Sequence, residues 1–251
     1  MKKLIAFDLD DTLAVTKSPI SDQMSEVLAR LINYYEICII SGGKFEQFKE
    51  QVINQLKITE DKLTKFHLMP TCGTRYYKYD LIKKDWQLLY SEDLSEKQKK
   101  LIIENLKQAA TELGYWEAKP YGEIIEDRGS QITFSALGQE APPDKKYAWD
   151  PDSKKRFAIK DYIASKLDGL EIRVGGSTSI DITLAGIDKA YGMVKIIETL
   201  GIKKSDILFF GDRLQPGGND YPVKMFGIDC LEVSRWQDTV LALEAIIHVT
   251  E

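Results

Sequence analysis

Apolar and polar positions follow two different patterns along the chain. Towards each end, short apolar runs are followed by stretches in which apolar residues recur every three or four positions. The runs predict buried strands, and the stretches predict amphipathic helices. The strands predicted in this way are 3–7, 37–40, 66–69, 207–210 and 229–233. Strands that alternate with helices predict an α/β fold with a parallel sheet and helices on both faces.

The middle of the chain has another pattern, which predicts hairpins and helices in succession. The predicted hairpins are 75–90, 123–137 and 171–184, the predicted helices are 94–113 and 154–167, and the Pro-, Asp- and Lys-rich segment 138–153 is predicted to be a loop. This order is typical of an α+β unit with an antiparallel sheet. We therefore expect a discontinuous core domain, 1–89 with 186–251, and an inserted domain at 90–185.

Composition narrows the class of protein. The 251 residues are 43% hydrophobic and 29% charged, as in soluble globular proteins, and the net charge of -5 provides no basic surface for nucleic acid. No apolar run reaches the roughly 18 residues of a membrane span, and no signal peptide is recognised. The three cysteines lack C-x-x-C spacing. These features predict a cytoplasmic protein with neither a nucleic-acid nor a membrane partner.

Two carboxylates, Asp8 and Asp10, follow the first predicted strand. A carboxylate can attack phosphorus and form an acyl phosphate, and a second one nearby can transfer protons to and from the reacting oxygens. Such a pair also suits Mg²⁺, which prefers oxygen ligands. The alternative is that both are ordinary loop residues, because Asp is common in turns.

Two further segments place polar groups at a strand end or a helix start. Ser41, Gly42 and Gly43 follow the second strand, where a hydroxyl and open backbone N–H groups suit a phosphate. The alternative is a plain turn from strand to helix. Lys189 lies near a helix start and offers a positive charge to phosphoryl oxygens, although a single Lys is usually a solvated surface residue.

A glycine-rich loop after strand 207–210 carries two more carboxylates. We expect Asp212 to contact a metal directly, and Asn219 and Asp220 to position ligands, waters or Lys189. A Gly-Asn-Asp sequence is also common in turns. Ligands of open α/β sheets bind beyond the carboxyl ends of the strands, so these segments are expected to converge.

In this order, the four segments resemble the motifs of the haloacid dehalogenase superfamily, whose first motif has the pattern D-x-D-x-T seen at Asp8–Thr12. An insertion between the second and third motifs resembles the C2B-capped branch, subfamily IIB. Within it, the chain resembles eukaryotic-type phosphomannomutases in three stretches, 41–46, 175–189 and 211–220. The resemblance implies a Rossmann-like core and an inserted C2-type cap with an antiparallel sheet.

The resemblance also implies a Mg²⁺-dependent phosphoryl-transfer enzyme acting on a small phosphorylated metabolite, most simply a hexose phosphate. The catalytic residues would be Asp8, Asp10, Ser41 and Lys189; the metal ligands Asp8, Asp10 and Asp212; and the supporting loop residues Gly42, Gly43, Asn219 and Asp220. In the inserted domain, Arg128, Ser179 and Asp181 would bind the sugar phosphate. A homodimer through the cap is a further implication.

The chain departs from this family at three places. Asp11 stands where the family usually has Gly, Lys17 is the nearest cation to an expected Arg, and the loop Leu137-Gly138-Gln139-Glu140 stands where the family carries another Arg. Lys145 and Lys146 are candidates to compensate. A site with fewer Arg and Lys side chains is expected to bind a bisphosphorylated sugar less tightly. A phosphatase is therefore favoured, with a phosphomannomutase as the alternative and a non-catalytic binding protein as a remote third.

Overall fold

The chain forms two compact units in the computed structural model, which describes residues 2–251. One unit contains the residues up to Ser91 together with Ile187–Glu251, and the other is Glu92–Gly186. The domain boundaries expected from the sequence lie one or two residues before these. Elements are numbered along the chain.

The first unit contains a seven-stranded sheet in the order β11-β10-β1-β2-β3-β4-β5. Its strands are β1 (Leu4–Phe7), β2 (Glu36–Ile40), β3 (Phe66–Met69), β4 (Arg75–Asp80), β5 (Asp85–Ser91), β10 (Ile207–Gly211) and β11 (Asp229–Glu232). The five strands from β11 to β3 are parallel, whereas β4 and β5 extend the sheet as an antiparallel hairpin. The predicted α/β fold is confirmed, and its sheet is mostly rather than wholly parallel.

Both faces of this sheet are covered by apolar packing. Alternate side chains of β1 enter opposite clusters: Ile5 and Phe7 on one face, Leu4 and Ala6 on the other. The helices of this unit are α1 (Asp22–Leu31), α2 (Phe45–Gln51), α3 (Glu60–Leu63), α7 (Lys189–Leu200), α8 (Tyr221–Met225) and α9 (Trp236–Thr250). Helices α1 and α9 pack on the first face and α7 on the second. Burial on both faces explains why the strands are continuous apolar runs.

The second unit contains a four-stranded antiparallel sheet in the order β6-β7-β9-β8. Its elements are α4 (Glu96–Glu112), β6 (Ile125–Asp127), β7 (Gln131–Ser135), α5 (Pro143–Trp149), α6 (Lys154–Ala164), β8 (Leu170–Gly175) and β9 (Ser179–Leu184). Ile132 and Ile182 belong to the apolar face, which packs with Leu106 of α4 and Ile159 of α6. The opposite face carries polar side chains, including Thr133 and Asp181.

Helix α5 corrects one prediction, because it lies inside 138–153, which was expected to be a loop. Pro143 stands in its first turn, where the missing N–H of proline has no helical partner in any case. A proline-rich, charged segment can therefore still contain a short helix. Among residues 2–251, no helix has both the length and the apolar character that a bilayer crossing requires.

Candidate active site

The parallel register of the first sheet brings three segments to one edge. Phe7 of β1 pairs with Ile39 on one side and with Phe210 on the other. The N–H of Asp8 continues this pairing and donates to the Phe210 carbonyl oxygen at 2.9 Å. Adjacent strands are about 4.8 Å apart, so the residues that follow β2, β1 and β10 lie side by side. Ser41, Asp8 and Asp212 are those residues.

Lys189 joins two of the carboxylates. Its Nζ atom lies 2.6 Å from Asp8 Oδ1 and 2.5 Å from Asp220 Oδ1. All three side chains are buried, with residue exposures of 1% for Lys189, 4% for Asp8 and 0% for Asp220. Lys189 is the first residue of α7, whose start is capped by the Asp188 carboxylate through the N–H of Tyr191. The buried ammonium therefore has a fixed position between two carboxylates.

Two glycines let α7 come close enough to the sheet for this contact. A Cβ atom on Gly192 would lie 2.3 Å from Ile40 Cδ1, and one on Gly73 would lie 2.5 Å from the Gly192 Cα. Neither position has room for a larger side chain. The position of Lys189 therefore depends on the packing of Gly192, three residues further along the helix, against Ile40 and Gly73.

Carboxylates outnumber cations at this edge of the sheet. Carboxylate oxygens of Asp8, Asp212 and Asp220 all lie within 4.8 Å of one another. Burial raises the pKa of Asp8 to about 8 against the effect of Lys189, and the charges of Asp220 and Asp212 act in the same direction as burial. Burial, and then the charge of Asp220, also raises the pKa of Asp212. Asp8 and Asp220 are buried and Asp212 is partly exposed, and such a set of oxygen donors with excess negative charge fits a divalent cation such as Mg²⁺.

The side chain of Asp10 is not one of these three. Its Oδ1 accepts hydrogen bonds from the backbone N–H of Lys17 at 2.8 Å and from Gln51 Nε2 at 3.1 Å. The sequence predicted Asp10 as a metal ligand beside Asp8 and Asp212, whereas the structure groups Asp220 with those two. Gln51 is 3% exposed and comes from the end of α2. No local sequence signal pointed to it, because its contact joins residues 41 positions apart.

The backbone accounts for the departure at Asp11. Its φ of 60° lies in the left-handed region, which Gly adopts freely and which Asp tolerates better than most residues. The Asp11 carboxylate also accepts hydrogen bonds from the N–H and the hydroxyl of Thr16. Asp11 therefore adopts the type of conformation for which a Gly would be suited, and its side chain stabilises the following turn.

The Ser41 segment is placed at the carboxyl end of β2, as its position in the sequence predicted. Ser41 is buried, and its Oγ accepts from the N–H of Gly43 at a long 3.4 Å. A Cβ atom on Gly42 would meet nothing within 4 Å, so there is open space beside its Cα. The following helix, α2, begins at Phe45 without a side-chain cap.

The glycine-rich loop after β10 folds tightly around Asp220. A Cβ atom on Gly211 would lie 2.5 Å from Asp220 Oδ2, and one on Gly218 would lie 2.1 Å from the Arg213 carbonyl oxygen. Asp220 Oδ2 in turn accepts from the N–H of Arg213 at 3.1 Å. These close approaches explain the glycines of the motif. Asn219 is exposed, so the structure does not place it with the buried acidic group.

The three residues predicted to bind the sugar phosphate all lie in the second unit. Arg128, in the turn between β6 and β7, donates through Nε to Glu126 at 2.8 Å. Asp181 Oδ1 accepts from Gln131 Nε2 at 2.9 Å and from Thr133 Oγ1 at 2.7 Å. Ser179 lies two residues before Asp181 on β9 and therefore on the same face of the sheet.

The two candidate compensating lysines lie on α5. Lys146 Nζ donates to the main-chain carbonyl of Gln139 at 2.8 Å, in the loop where the resembled family carries an Arg. Lys145 Nζ contacts the hydroxyl of Tyr121 and lies 4.8 Å from the centre of its ring. The ammonium group of Lys146 therefore lies beside the loop that contains Gln139.

The family model for haloacid dehalogenase-like hydrolases matches residues 5–223. The chain belongs to this family. Phosphomannomutase 1 of Dictyostelium discoideum is 29% identical over 230 residues, covering 86% of this chain and 84% of the relative. The phosphomannomutase of Schizosaccharomyces pombe is 29% identical over 262 residues, covering 99% and 95%. Family membership and these relatives confirm the prediction of a phosphoryl-transfer enzyme.

Solved structures of the same fold include phosphatases. The truncated, IMP-bound IMP-nucleotidase of Plasmodium falciparum has a TM-score of 0.70 at 17% identity, covering 98% of this chain and 68% of that one. A haloacid dehalogenase-like hydrolase of Bacteroides thetaiotaomicron has a TM-score of 0.68 at 16% identity, covering 98% and 100%. At these identities the likeness is one of fold. The roles of the individual site residues stay predictions.

Proposed function

We propose that the chain is a Mg²⁺-dependent phosphatase that hydrolyses a hexose phosphate or a similar small phosphorylated metabolite through a phosphorylated Asp8. The observation that carries the proposal is the buried contact of Asp8 with Lys189 beside Asp212 and Asp220. A carboxylate at the end of a strand, held beside a fixed cation and two further carboxylates, has the arrangement that a nucleophile for phosphoryl transfer requires.

Asp8 is suited to be the nucleophile. Its Oδ1 contacts Lys189 Nζ and accepts from the N–H of Leu9 at 2.7 Å. Because Oδ1 is engaged by Lys189 and by Leu9, Oδ2 is the oxygen that we assign to attack on phosphorus. Lys189 fixes the orientation of the carboxylate and supplies positive charge near the phosphoryl group.

Asp8 and Asp212 are the residues that would hold Mg²⁺, with Asp220 next to them. When bound, the ion offsets negative charge on the phosphoryl oxygens. Asp220 also contacts Lys189, so we assign it to hold that ammonium group in place. Ser41 and the backbone of Gly42 and Gly43 would donate hydrogen bonds to phosphoryl oxygens.

Asp10 is proposed as the general acid and base. In the first step Asp8 Oδ2 forms a bond to phosphorus, the ester P–O bond breaks, and Asp10 gives its proton to the leaving oxygen. In the second step Asp10 takes a proton from water, the water oxygen attacks phosphorus, and inorganic phosphate leaves Asp8. Gln51 and the N–H of Lys17 set the position of the Asp10 carboxylate before the reaction.

A mutase would use the same residues with a sugar hydroxyl in place of water as acceptor. The phosphomannomutase relatives and the position of Lys146 at Gln139 favour this second candidate. The loop 137–140 has no Arg or Lys, which favours the phosphatase, because it offers no positive charge for a second phosphate. We propose that Arg128, Ser179 and Asp181 bind the substrate in either case, while a homodimer through the second unit and a cytoplasmic location stay predictions.

One assay separates the two candidates. The protein is incubated with mannose 1-phosphate, Mg²⁺ and a trace of hexose 1,6-bisphosphate, and both free phosphate and mannose 6-phosphate are measured. If the protein is a phosphatase, free phosphate is released and no mannose 6-phosphate forms. If mannose 6-phosphate forms without free phosphate, the protein is a mutase instead. Asp8→Asn, the control, should abolish either product, because an amide is a poor nucleophile.

A further inference from the structure

Arg156 and Asp150 form a second buried ion pair, which lies in the unit that carries Arg128, Ser179 and Asp181. Their residue exposures are 4% and 2%, and Arg156 Nε lies 2.8 Å from Asp150 Oδ2. An arginine has five side-chain N–H donors, and the contacts of Arg156 account for all of them. Nη2 donates to the Asp150 carbonyl at 3.0 Å and to Ser153 Oγ at 2.7 Å, and Nη1 donates to the Gly175 carbonyl at 2.9 Å and to the Gly176 carbonyl.

One side of this arrangement is the connection between α5 and α6. Asp150 directly follows α5, the helix with Lys145 and Lys146. Its Oδ1 accepts from the N–H of Lys155 at 3.0 Å, and its Oδ2 accepts from the N–H of Arg156 at 3.1 Å. The carboxylate thus satisfies two open N–H groups in the first turn of α6 while it binds the guanidinium.

The other side is the turn between β8 and β9. Gly175 and Gly176, whose carbonyls accept from Arg156, begin this turn, and Ser179 and Asp181 follow it. The turn lies against Asp181, because a Cβ atom on Gly175 would be 3.0 Å from Asp181 Oδ2. A shift of the Gly175 backbone would therefore reach the Asp181 carboxylate directly.

A buried ion pair is a poor way to gain stability, since well-packed apolar side chains of similar volume often stabilise a fold as well or better. Its distinctive property is geometry: a planar guanidinium with five directed donors fixes the relative position of the groups that it bonds. We propose that Arg156 is a positioning residue that holds the Gly175–Gly176 turn against the end of α5. It thereby fixes Ser179 and Asp181 relative to the end of α5 for a substrate with sugar hydroxyls.

This inference rests on the proposed function, and the test uses two substrates for that reason. Arg156→Lys keeps the charge but cannot reproduce the five directed bonds. We expect its KM for a hexose phosphate to rise about tenfold, the effect of losing hydrogen bonds that orient charged groups. We expect kcat with the hexose phosphate, and both constants with para-nitrophenyl phosphate, to stay within about twofold, because an aryl phosphate has no sugar hydroxyls to bind.

The matched control is Arg30→Lys, which alters an exposed ion pair with Glu244 in the first unit and should change neither KM. A double-mutant cycle with Asp181→Asn tests the route of the effect. If Arg156 acts through the turn, the double variant raises KM little beyond Asp181→Asn alone. Independent, multiplying effects would overturn the proposal.

Thermal unfolding shows whether Arg156→Lys folds. If it does not, Gly175→Ala carries the test, because its Cβ would lie 3.0 Å from Asp181 Oδ2 and would shift that carboxylate relative to the turn, and the same selective rise in KM is expected. Equal losses with both substrates would overturn the positioning role and leave the proposed function intact. A wild-type protein that hydrolyses para-nitrophenyl phosphate but no hexose phosphate would overturn the proposed function and the positioning role together.

Discussion

The two units each bury an ion pair, and the two pairs are built in opposite ways. Lys189 lies among three carboxylates, whereas Arg156 faces the single carboxylate of Asp150. Burial raises the pKa of Asp8 to about 8. Burial also opposes the ionised form of Asp150, but hydrogen bonds from Arg156 and from backbone N–H groups hold the pKa of that carboxyl below its usual range. The first cluster has negative charge left over for a divalent cation, whereas the second is already satisfied.

The largest expected effect is on activity, at the unsatisfied cluster. Asp8→Asn should lower kcat by at least about 10⁴-fold, because the amide cannot form the acyl phosphate. Hexose-phosphate hydrolysis in saturating Mg²⁺ measures it. If Asp8→Asn kept a tenth of the wild-type rate, Asp8 would not be the nucleophile. The first cluster would then have no catalytic role that distinguishes it from the second.

The two clusters should respond in opposite directions when stability is measured. Arg156→Ala should lower the free energy of unfolding by about 3–5 kcal/mol, because it leaves the Asp150 carboxylate buried without its partner. Asp8→Asn should leave it unchanged or raise it at pH 8 without metal, because it removes one of three crowded carboxylates. Urea unfolding in EDTA measures both.

Arg30→Ala is the control for that comparison. Its ion pair with Glu244 is exposed, so the loss should be about 0–1 kcal/mol. If Asp8→Asn lowered the free energy of unfolding as much as Arg156→Ala does, the carboxylates of the first cluster would be as well paired as Asp150 is.

Stability should also depend on pH with opposite signs. The folded pKa of Asp8 is raised from 3.8 to about 8, so in that interval the folded protein binds more protons than the unfolded chain. The free energy of unfolding of the metal-free protein should therefore fall as pH rises through this interval. Asp150 has a lowered folded pKa, so its contribution is present above pH 3.8 and lost as the pH falls below it.

Unfolding curves of the wild type, Asp8→Asn and Asp150→Asn in EDTA separate the two contributions. Asp8→Asn should flatten the profile between pH 5 and 8, and Asp150→Asn should flatten its acidic side, by the linkage between proton binding and folding. The same slope in wild type and Asp8→Asn would mean that Asp8 is not the group that titrates.

The smallest expected effect concerns Gln51, which holds Asp10. Gln51→Leu removes one hydrogen bond to the Asp10 carboxylate and should lower kcat about tenfold with little change in KM. Gln55→Leu is the matched control, because the side-chain amide of Gln55 donates to the Glu50 carbonyl rather than to Asp10. An unchanged kcat in Gln51→Leu would separate this contact from catalysis.

The sequence was informative where chemistry follows directly from strand ends. Asp8 and Asp212 each come just after a buried apolar run, and parallel pairing of those runs is enough to bring them together. Two other features depend on tertiary contacts that no local pattern contains. The Asp10 carboxylate turns towards Gln51, and Asp220 joins the acidic group because Gly211 leaves space for it.

The fold shows the same division. The predicted strands and most helices lie where the periodicity placed them. The addition of β4 and β5 to the sheet as an antiparallel hairpin is a matter of edge pairing, which a single strand's pattern does not specify. Helix α5 was missed because prolines and charges are equally typical of loops.

The central claim is that one divalent cation binds between the first strand and the glycine-rich loop. A crystal structure determined in Mg²⁺ tests it most directly. The account predicts a single ion at about 2.1 Å from carboxylate oxygens of Asp8 and Asp212. An active enzyme whose Mg²⁺ binds elsewhere, with these two carboxylates turned apart, would contradict it.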